Sequence, residues 1–323
     1  MKSNNPWDLI KEPVSSIDVN AKLADKDNLL EFYWAKDSIG NLLFILHTSS
    51  SIIIKQKIPS LIGIDVSIGS IENTNQLILT LSEKEDKDIF NSLCLDLLKS
   101  TKNINDESLA IKSILKRLEK WQYFLKSGRK AIDKKQLKGL IGELYLIKKY
   151  LLAEYNAKDV LEFWKAPLQS VQDFELSNMT IEVKTKSSVN SITISSYEQL
   201  FTQLDYLYLF VVTLTESTKN VTESFNIYDM IDEIRKLIGL DNLLIIENFN
   251  NLLMHYGFVE LVEYEDLYFT IIFDEFYEVT DEFPKIIDIP DGIEKLNYKI
   301  NLDTCRKFLV EKNILNITGD DNE

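Results

Sequence analysis

Two short apolar runs carry acidic and basic side chains whose spacing suits phosphate chemistry. Residues 172–176 and 179–184 predict a β-hairpin with the pattern D-x8-E-x-K, formed by Asp173, Glu182 and Lys184. Side chains two residues apart in a strand share a face, so Glu182 and Lys184 point the same way. Two carboxylates and an ammonium together can hold a divalent cation and place a Lys donor beside the water or phosphate that it polarises.

The spacing alone leaves a simpler interpretation open, because an acidic chain offers many E-x-K matches. Glu85 and Lys87 also match, but their polar surroundings predict the capped, solvated first turn of a helix. Glu182 and Lys184 instead interrupt a β-branched alternation. The alternative for this pair is a half-exposed strand with a surface salt bridge.

A helix predicted over residues 134–152 supplies a third carboxylate. Its apolar residues recur at helical spacing, and Gly139 and Gly142 lie beside that stripe. Each glycine costs a helix about 1 kcal/mol relative to alanine, so the pair predicts close approach of the helix to a flat surface. Glu143 follows directly and could reach the metal of the hairpin carboxylates. Otherwise it is an ordinary helix-surface Glu.

In this order the segments resemble the PD-(D/E)XK nuclease superfamily, and more narrowly an uncharacterised, restriction-endonuclease-like bacterial branch of it. The resemblance covers most of the chain, and its most specific parts are residues 139–144, Trp164, 172–175 and 181–185. Weaker similarity extends to residues 63–66, 89–90, Trp121, 283–286 and 298–300. Gln172 stands where the superfamily's name has proline, which is not a metal ligand.

The resemblance implies a Mg²⁺-dependent deoxyribonuclease, with Mn²⁺ as a substitute metal. In that mechanism Asp173 and Glu182 bind the metal with help from the Val183 carbonyl, and Glu143 supports a metal or its water. Lys184 orients or activates the attacking water and stabilises charge on the phosphorane. Cleavage of DNA leaves a 5′-phosphate. Relatives often serve in restriction or phage defence, and this branch resembles components encoded near methylases and helicase-like ATPases.

The resemblance also implies an α/β core, in which helices flank a mixed, four-stranded, restriction-endonuclease-like sheet. The residues predict a short Asn156-capped helix, the two motif strands, a third strand at 191–194 and a buried fourth strand at 206–212. A helix opening at Ser195 or Ser196 would cross between the third and fourth strands. Gln199 lies on that predicted helix near the site, and a solvated helix face is the alternative for it.

The chain is long enough for more than one core. It has 323 residues, of which 45% are hydrophobic. Residues 1–82 contain four strand-like runs and predict an N-terminal antiparallel β unit, and residues 83–128 predict a helical bridge of two helices. Residues 129–323 predict the nuclease-like core with an acidic C-terminal α/β extension, in which residues 268–273 form a strand-like run.

The net charge of -15 opposes DNA binding, but the negative charge is spread unevenly along the chain. Lys plus Arg against Asp plus Glu is 15 to 17 in residues 1–125, 13 to 11 in 126–220 and 8 to 23 in 221–323. The middle segment is therefore net +2 (13 minus 11). Its basic residues before the third carboxylate either lead a DNA backbone to the site or form a solvated helix entrance; they are Lys126, Arg129, Lys130, Lys134, Lys135 and Lys138.

Several protein classes are disfavoured by what the sequence lacks. We expect a cytoplasmic protein without membrane contact, because no N-terminal signal pattern or membrane-length apolar stretch occurs. Cys94 and Cys305 lie far apart and predict reduced core thiols. Only two histidines are present, which excludes a multi-histidine metal centre and disfavours a Ser-His-Asp triad.

Two functions other than an active nuclease stay open. The chain could be a non-catalytic partner that keeps the fold for structural reasons, or an acidic interaction subunit of a DNA-processing defence complex. The acidic C-terminal third also predicts weak, salt-sensitive DNA binding by the isolated protein. Efficient cleavage would then need a second copy in a homodimer, or a companion subunit that recognises sequence.

Overall fold

Strands and helices occupy both halves of the chain in a computed structural model that describes residues 5–49, 58–71, 74–82, 86–126, 132–260 and 264–312. The protein is of mixed α/β class. The chain divides into two units, one of residues 1–131 with 259–261 and the other of residues 132–258 with 262–323. The two helices predicted as a bridge therefore belong to the first unit.

The first unit contains a five-stranded, fully antiparallel sheet of order β1-β2-β3-β5-β4. Its strands are β1 (Val19–Leu23), β2 (Glu31–Asp37), β3 (Leu42–Ser49), β4 (Ile64–Ile71) and β5 (Thr74–Leu81). Four of them match the predicted runs, whereas β1 is an additional edge strand. All five residues of β1 are exposed, so neither of its faces is buried in a core.

The described part of the first unit also contains two α-helices, α1 (Lys87–Thr101) and α2 (Glu107–Lys126). Trp7 joins the sheet to α1, because its ring stacks on Phe90 at 5.2 Å and meets Trp34 edge-on at 4.7 Å. The two helices are joined by Asp96, which accepts hydrogen bonds from Arg117 Nε (2.6 Å) and Trp121 Nε1 (2.8 Å).

The second unit is built on a mixed five-stranded sheet of order β12-β10-β9-β7-β6. Its strands are β6 (Phe174–Glu175), β7 (Met179–Lys186), β9 (Tyr206–Ser217), β10 (Tyr268–Glu278) and β12 (Leu309–Val310), and a separate pair consists of β8 (Ser191–Ile194) and β11 (Tyr298–Asn301). β7 and β9 are parallel and the other pairs are antiparallel. The predicted motif hairpin is confirmed as β6 and β7.

The described residues of this unit include the α-helices α3 (Lys134–Leu146), α4 (Leu152–Glu154), α5 (Ala157–Phe163), α6 (Ile227–Ile238) and α7 (Leu243–Tyr256). Asp133 begins α3 with a capping box, and the predicted Asn156 cap of α5 is confirmed by its bond to the Asp159 amide. The helix predicted over residues 134–152 changes to a π-helical turn at Ile147–Leu151. α3 packs on β7, the strand that carries Glu182 and Lys184.

Two expectations about the core sheet are wrong. The predicted third strand, β8, pairs with β11 outside the main sheet, and β10 from the acidic C-terminal third takes the place beside β9. The predicted crossover helix is only a four-residue 3₁₀ turn, Tyr197–Leu200. Apolar residues of β8, β9 and that turn pack into one buried cluster, so tertiary packing overrides the local helical pattern.

Asp274 is a buried charge that joins three segments of the second unit. Its carboxylate accepts hydrogen bonds from Tyr145 (2.8 Å), Tyr150 (2.6 Å), Lys149 (2.6 Å) and Lys312 (2.5 Å). Burial acts to raise the pKa of Asp274, but these donors outweigh it and hold the pKa well below its usual range. The strand β10 is thereby tied to the π-helical turn and to the segment after β12.

No helix in the described part of the chain is long and apolar enough to cross a membrane. Cys94 and Cys305 are both buried and free, in agreement with the expectation of reduced core thiols.

Candidate active site

Asp173 is held at the start of the motif hairpin by its backbone and by its carboxylate. Its carbonyl accepts hydrogen bonds from the amides of Lys165 (2.8 Å) and Ala166 (3.1 Å), in the turn that follows α5. Its Oδ2 accepts from the Val183 amide at 2.8 Å. The side chain is therefore directed across the hairpin towards β7.

Glu182 lies on β7 with 0% of its surface exposed. Its Oε1 accepts hydrogen bonds from Lys184 Nζ and, at 2.7 Å, from Gln199 Nε2. The side chain of Gln199 is itself fixed, because the Ser195 amide donates a hydrogen bond to Gln199 Oε1 at 2.8 Å. Glu182 Oε2 is buried and has no hydrogen-bond partner among the residues that the structure describes. One carboxylate oxygen in the site is thus left unsatisfied, which is costly for a buried polar group.

Glu143 reaches the same region from α3. Its two oxygens accept hydrogen bonds from Trp164 Nε1 at 2.7 Å and from the Tyr256 hydroxyl at 2.8 Å. Only 4% of the residue is exposed, so the ordinary helix-surface role is wrong. Gly142 allows this placement, because a Cβ there would lie 2.6 Å from Thr185 Cγ2. The close approach predicted from the two glycines is confirmed at Gly142.

The four motif residues, Glu143, Asp173, Glu182 and Lys184, line one cavity of about 410 Å³. Its wall also includes basic, hydroxyl and amide side chains from α3, β7, β8, the 3₁₀ turn and the residues that directly follow β7 and β8; these are Lys135, Lys138, Lys186, Ser187, Ser191, Thr193, Ser195 and Gln199. An opening of this size with carboxylates and ammonium groups on its wall suits a charged ligand.

Three carboxylates share this cavity with Lys184, and their ionisation is strongly disfavoured. Burial and the charge of Asp173 raise the pKa of Glu182 to about 8, although Lys184 opposes the shift. Burial and Asp173 also hold the pKa of Glu143 well above its ordinary value, against the hydrogen bonds from Trp164 and Tyr256. Burial raises the pKa of Asp173 too. A cation in the cavity would relieve the repulsion among these groups.

Burial acts to lower the pKa of Lys184, but Glu182 and Asp173 outweigh it and hold the pKa above its usual value. Lys184 is therefore an ammonium group at neutral pH. As such it is a hydrogen-bond donor and a source of positive charge.

Among the described residues, no group of three or more His, Cys, Asp or Glu side chains forms a cluster that could hold a metal ion. Mg²⁺ does not need one, since it commonly binds one or two protein carboxylates and fills its remaining positions with water and substrate phosphate. Asp173 and Glu182 fit that donor set, and the unpartnered Glu182 Oε2 is an available oxygen. Both oxygens of Glu143 are engaged by other side chains.

The lysines predicted to contact DNA are placed unequally. Lys135 and Lys138 line the cavity, but Lys134 and Lys138 both bind Glu216, at 2.6 and 2.8 Å. Those two bonds lower the pKa of Glu216 to about 2. The ammonium groups of Lys134 and Lys138 are therefore both paired with the Glu216 carboxylate. Lys126 is exposed at the end of α2 in the first unit. Arg129 and Lys130 lie outside the described residues.

Sequence reasoning missed two supports of the site. Tyr256 ends α7, more than a hundred residues from the Glu143 that it binds, so no local pattern could reveal it. Gln172 Nε2 donates to the carbonyls of Phe201 and, at 3.0 Å, Glu198, and so ties the hairpin to the turn that carries Gln199. The sequence signal for this second support is Gln172 itself, which stands where the superfamily's name has proline.

The protein is of mixed α/β class, and the four motif residues meet in one cavity of the second unit. The chain belongs to the family DUF4420, described as "Putative PD-(D/E)XK family member", whose family model matches residues 3–303. Members of the PD-(D/E)XK superfamily are generally nucleases and typically use divalent metals. No curated protein and no solved structure matches the chain.

Proposed function

We propose that the protein is a Mg²⁺-dependent DNA endonuclease with a restriction-endonuclease-like core, acting in restriction or phage defence. The observation that supports this most is the convergence of Glu143, Asp173, Glu182 and Lys184 on one cavity. The family match makes a nuclease the expected activity for such a site. The defence role rests on family resemblance.

Asp173 and Glu182 would hold the cation, since the unpartnered Glu182 Oε2 offers an oxygen and the Val183 amide orients Asp173. The Val183 carbonyl is the further ligand that the resemblance implies. When bound, Mg²⁺ would polarise the phosphate and make a bound water more acidic. Glu143, fixed by Trp164 and Tyr256, would orient that water or support a metal.

Lys184 would act mainly in the transition state. Its ammonium lies beside Glu182 and lines the cavity, where it can donate to a phosphate oxygen or orient the attacking water. Negative charge on the phosphate grows as the new bond forms, and a fixed ammonium stabilises the more highly charged state more strongly. The products would carry a 5′-phosphate.

Metal-dependent stabilisation separates this proposal from a non-catalytic or acidic interaction subunit. Mg²⁺ or Mn²⁺ should raise the melting temperature of the wild type, because a cation held by Asp173 and Glu182 binds only the folded site. The increase should shrink in Asp173→Asn and Glu182→Gln and persist in part in Glu143→Gln. Lys158→Gln, on the exposed face of α5 outside the cavity, is the control. An equal increase in all variants would refute the ligand set.

A further inference from the structure

Lys186 lies two residues beyond Lys184 on β7, on the same face of the strand. Strand register places Lys186 opposite Thr213 of β9, and Thr213 opposite Phe273 of β10. The three side chains therefore form a row across one face of the sheet. Lys186 Nζ lies over the Phe273 ring, 4.8 Å from its centroid.

Lys186 is a buried cation that lacks an acidic partner in the described part of the structure. The residue is 8% exposed, and no described carboxylate lies within ion-pair distance of its ammonium. Glu275 is on the same face of the sheet, but its carboxylate accepts a hydrogen bond from Tyr277. Thr213 beside it has a buried hydroxyl that finds no hydrogen-bond partner within the described ranges. An unpaired buried ammonium is costly, and an anionic ligand would offset that cost.

The position of Lys186 indicates which anion it would bind. It lines the cavity that holds Asp173, Glu182 and Lys184, together with the hydroxyl residues Ser187 and Ser191. Two strand residues separate Lys184 and Lys186 by about 7 Å along β7. A nucleic-acid strand carries a phosphate on every nucleotide, so a strand whose scissile phosphate faces Lys184 brings a neighbouring phosphate to Lys186.

We propose that Lys186, steadied on the face of Phe273, is a binding residue for the phosphate adjacent to the scissile one. This inference rests on the proposed nuclease function and adds to it a second phosphate subsite. Lys186 contributes charge to substrate binding and takes no part in bond cleavage.

The test measures DNA binding without cleavage, in the Lys184→Ala background with Mg²⁺ present. A fluorescently labelled duplex is titrated by anisotropy at several salt concentrations, with and without Lys186→Met. The added substitution should weaken binding about tenfold and lower the salt slope of log K by about 0.9, the loss of one phosphate contact. Lys186→Arg should keep the slope, and Lys158→Met, which removes an exposed lysine of α5, should change neither quantity.

A slope for Lys186→Met equal to that of Lys158→Met would overturn the proposal and leave Lys186 a structural residue. Thermal unfolding is recorded for Lys186→Met and Lys186→Gln, and loss of the fold in both would also make the role structural. Wild-type cleavage separates the two claims. If wild type cuts DNA while the slope is unchanged, only the second subsite fails; if wild type neither binds nor cuts DNA, the nuclease function fails and the subsite fails with it.

Discussion

Replacing Gly142 by alanine tests the close contact between α3 and β7 that places Glu143 in the cavity. A Cβ at residue 142 would lie 2.6 Å from Thr185 Cγ2 and 3.2 Å from Val183 Cγ1. Both neighbours are β-branched residues of the strand and have little rotamer freedom, so the helix or the strand must shift. Gly139 is the matched control on the same helix, because among the described residues a Cβ there would meet just the Tyr256 hydroxyl, at the ordinary contact distance of 3.5 Å.

The free energy of unfolding changes for one reason in both variants and for a second reason in Gly142→Ala alone. Alanine stabilises a helix interior by about 1 kcal/mol relative to glycine at either position. Overpacking costs about 1–3 kcal/mol, and only Gly142→Ala should incur it. The free energy of unfolding should therefore rise by up to about 1 kcal/mol in Gly139→Ala. Gly142→Ala should be less stable than Gly139→Ala by about 1–3 kcal/mol.

Urea or thermal unfolding of the full chain measures this difference. Both glycines lie on α3 of the second unit, so the same transition reports on both variants. Each kcal/mol should correspond to a melting-temperature difference of about 2–4 °C. Equal stability changes in the two variants would refute the inferred packing of α3 against β7.

Two further predictions concern the supports of the site and of the sheet. Gln172→Ala and Gln199→Ala should each lower the cleavage rate. The double variant should cleave as fast as Gln199→Ala, because Gln172 acts through the turn that carries Gln199. Additive losses in the measured rates would contradict this. Asp274→Asn should lower stability by about 3 kcal/mol, since it removes a buried charge bound by two lysines and two tyrosines. The pKa of Asp274 is depressed in the folded state, so its contribution is fully present above about pH 5 and is lost as pH falls towards the folded pKa. Urea unfolding should give a constant difference between about pH 5 and 8, and a difference that vanishes within that range would refute the assignment.

The sequence predicts the elements whose signal is local. The motif hairpin, the Asn156 cap and the strands β2 to β5 carry alternation, capping or turn residues that act within a few positions. Gly142 shows that a single residue can predict a tertiary contact. A glycine in a helix interior lowers helix stability, which indicates that something packs closely against it, and in the structure this is Thr185 of the neighbouring strand.

Elements determined by distant contacts are not predicted. β8 alternates like a core strand, yet it pairs with β11, which lies about a hundred residues later. The helix predicted to open at Ser195 or Ser196 is only a short turn, because Leu200 packs in the buried cluster with β8 and β9. Glu143 is recognised as a candidate from sequence, whereas its partner Tyr256 is brought to it only by the packing of α7.

Cleavage of plasmid DNA by the purified protein is the decisive measurement of the proposed nuclease activity. Methylated and unmethylated supercoiled plasmid are incubated with Mg²⁺, Mn²⁺ or a chelator, for wild type and for Lys184→Ala. We expect nicked or linear products with 5′-phosphate ends only when the metal is present, and a rate lower by orders of magnitude in a folded Lys184→Ala protein. Equal cleavage by the two proteins, or cleavage that persists in the chelator, would contradict the proposal.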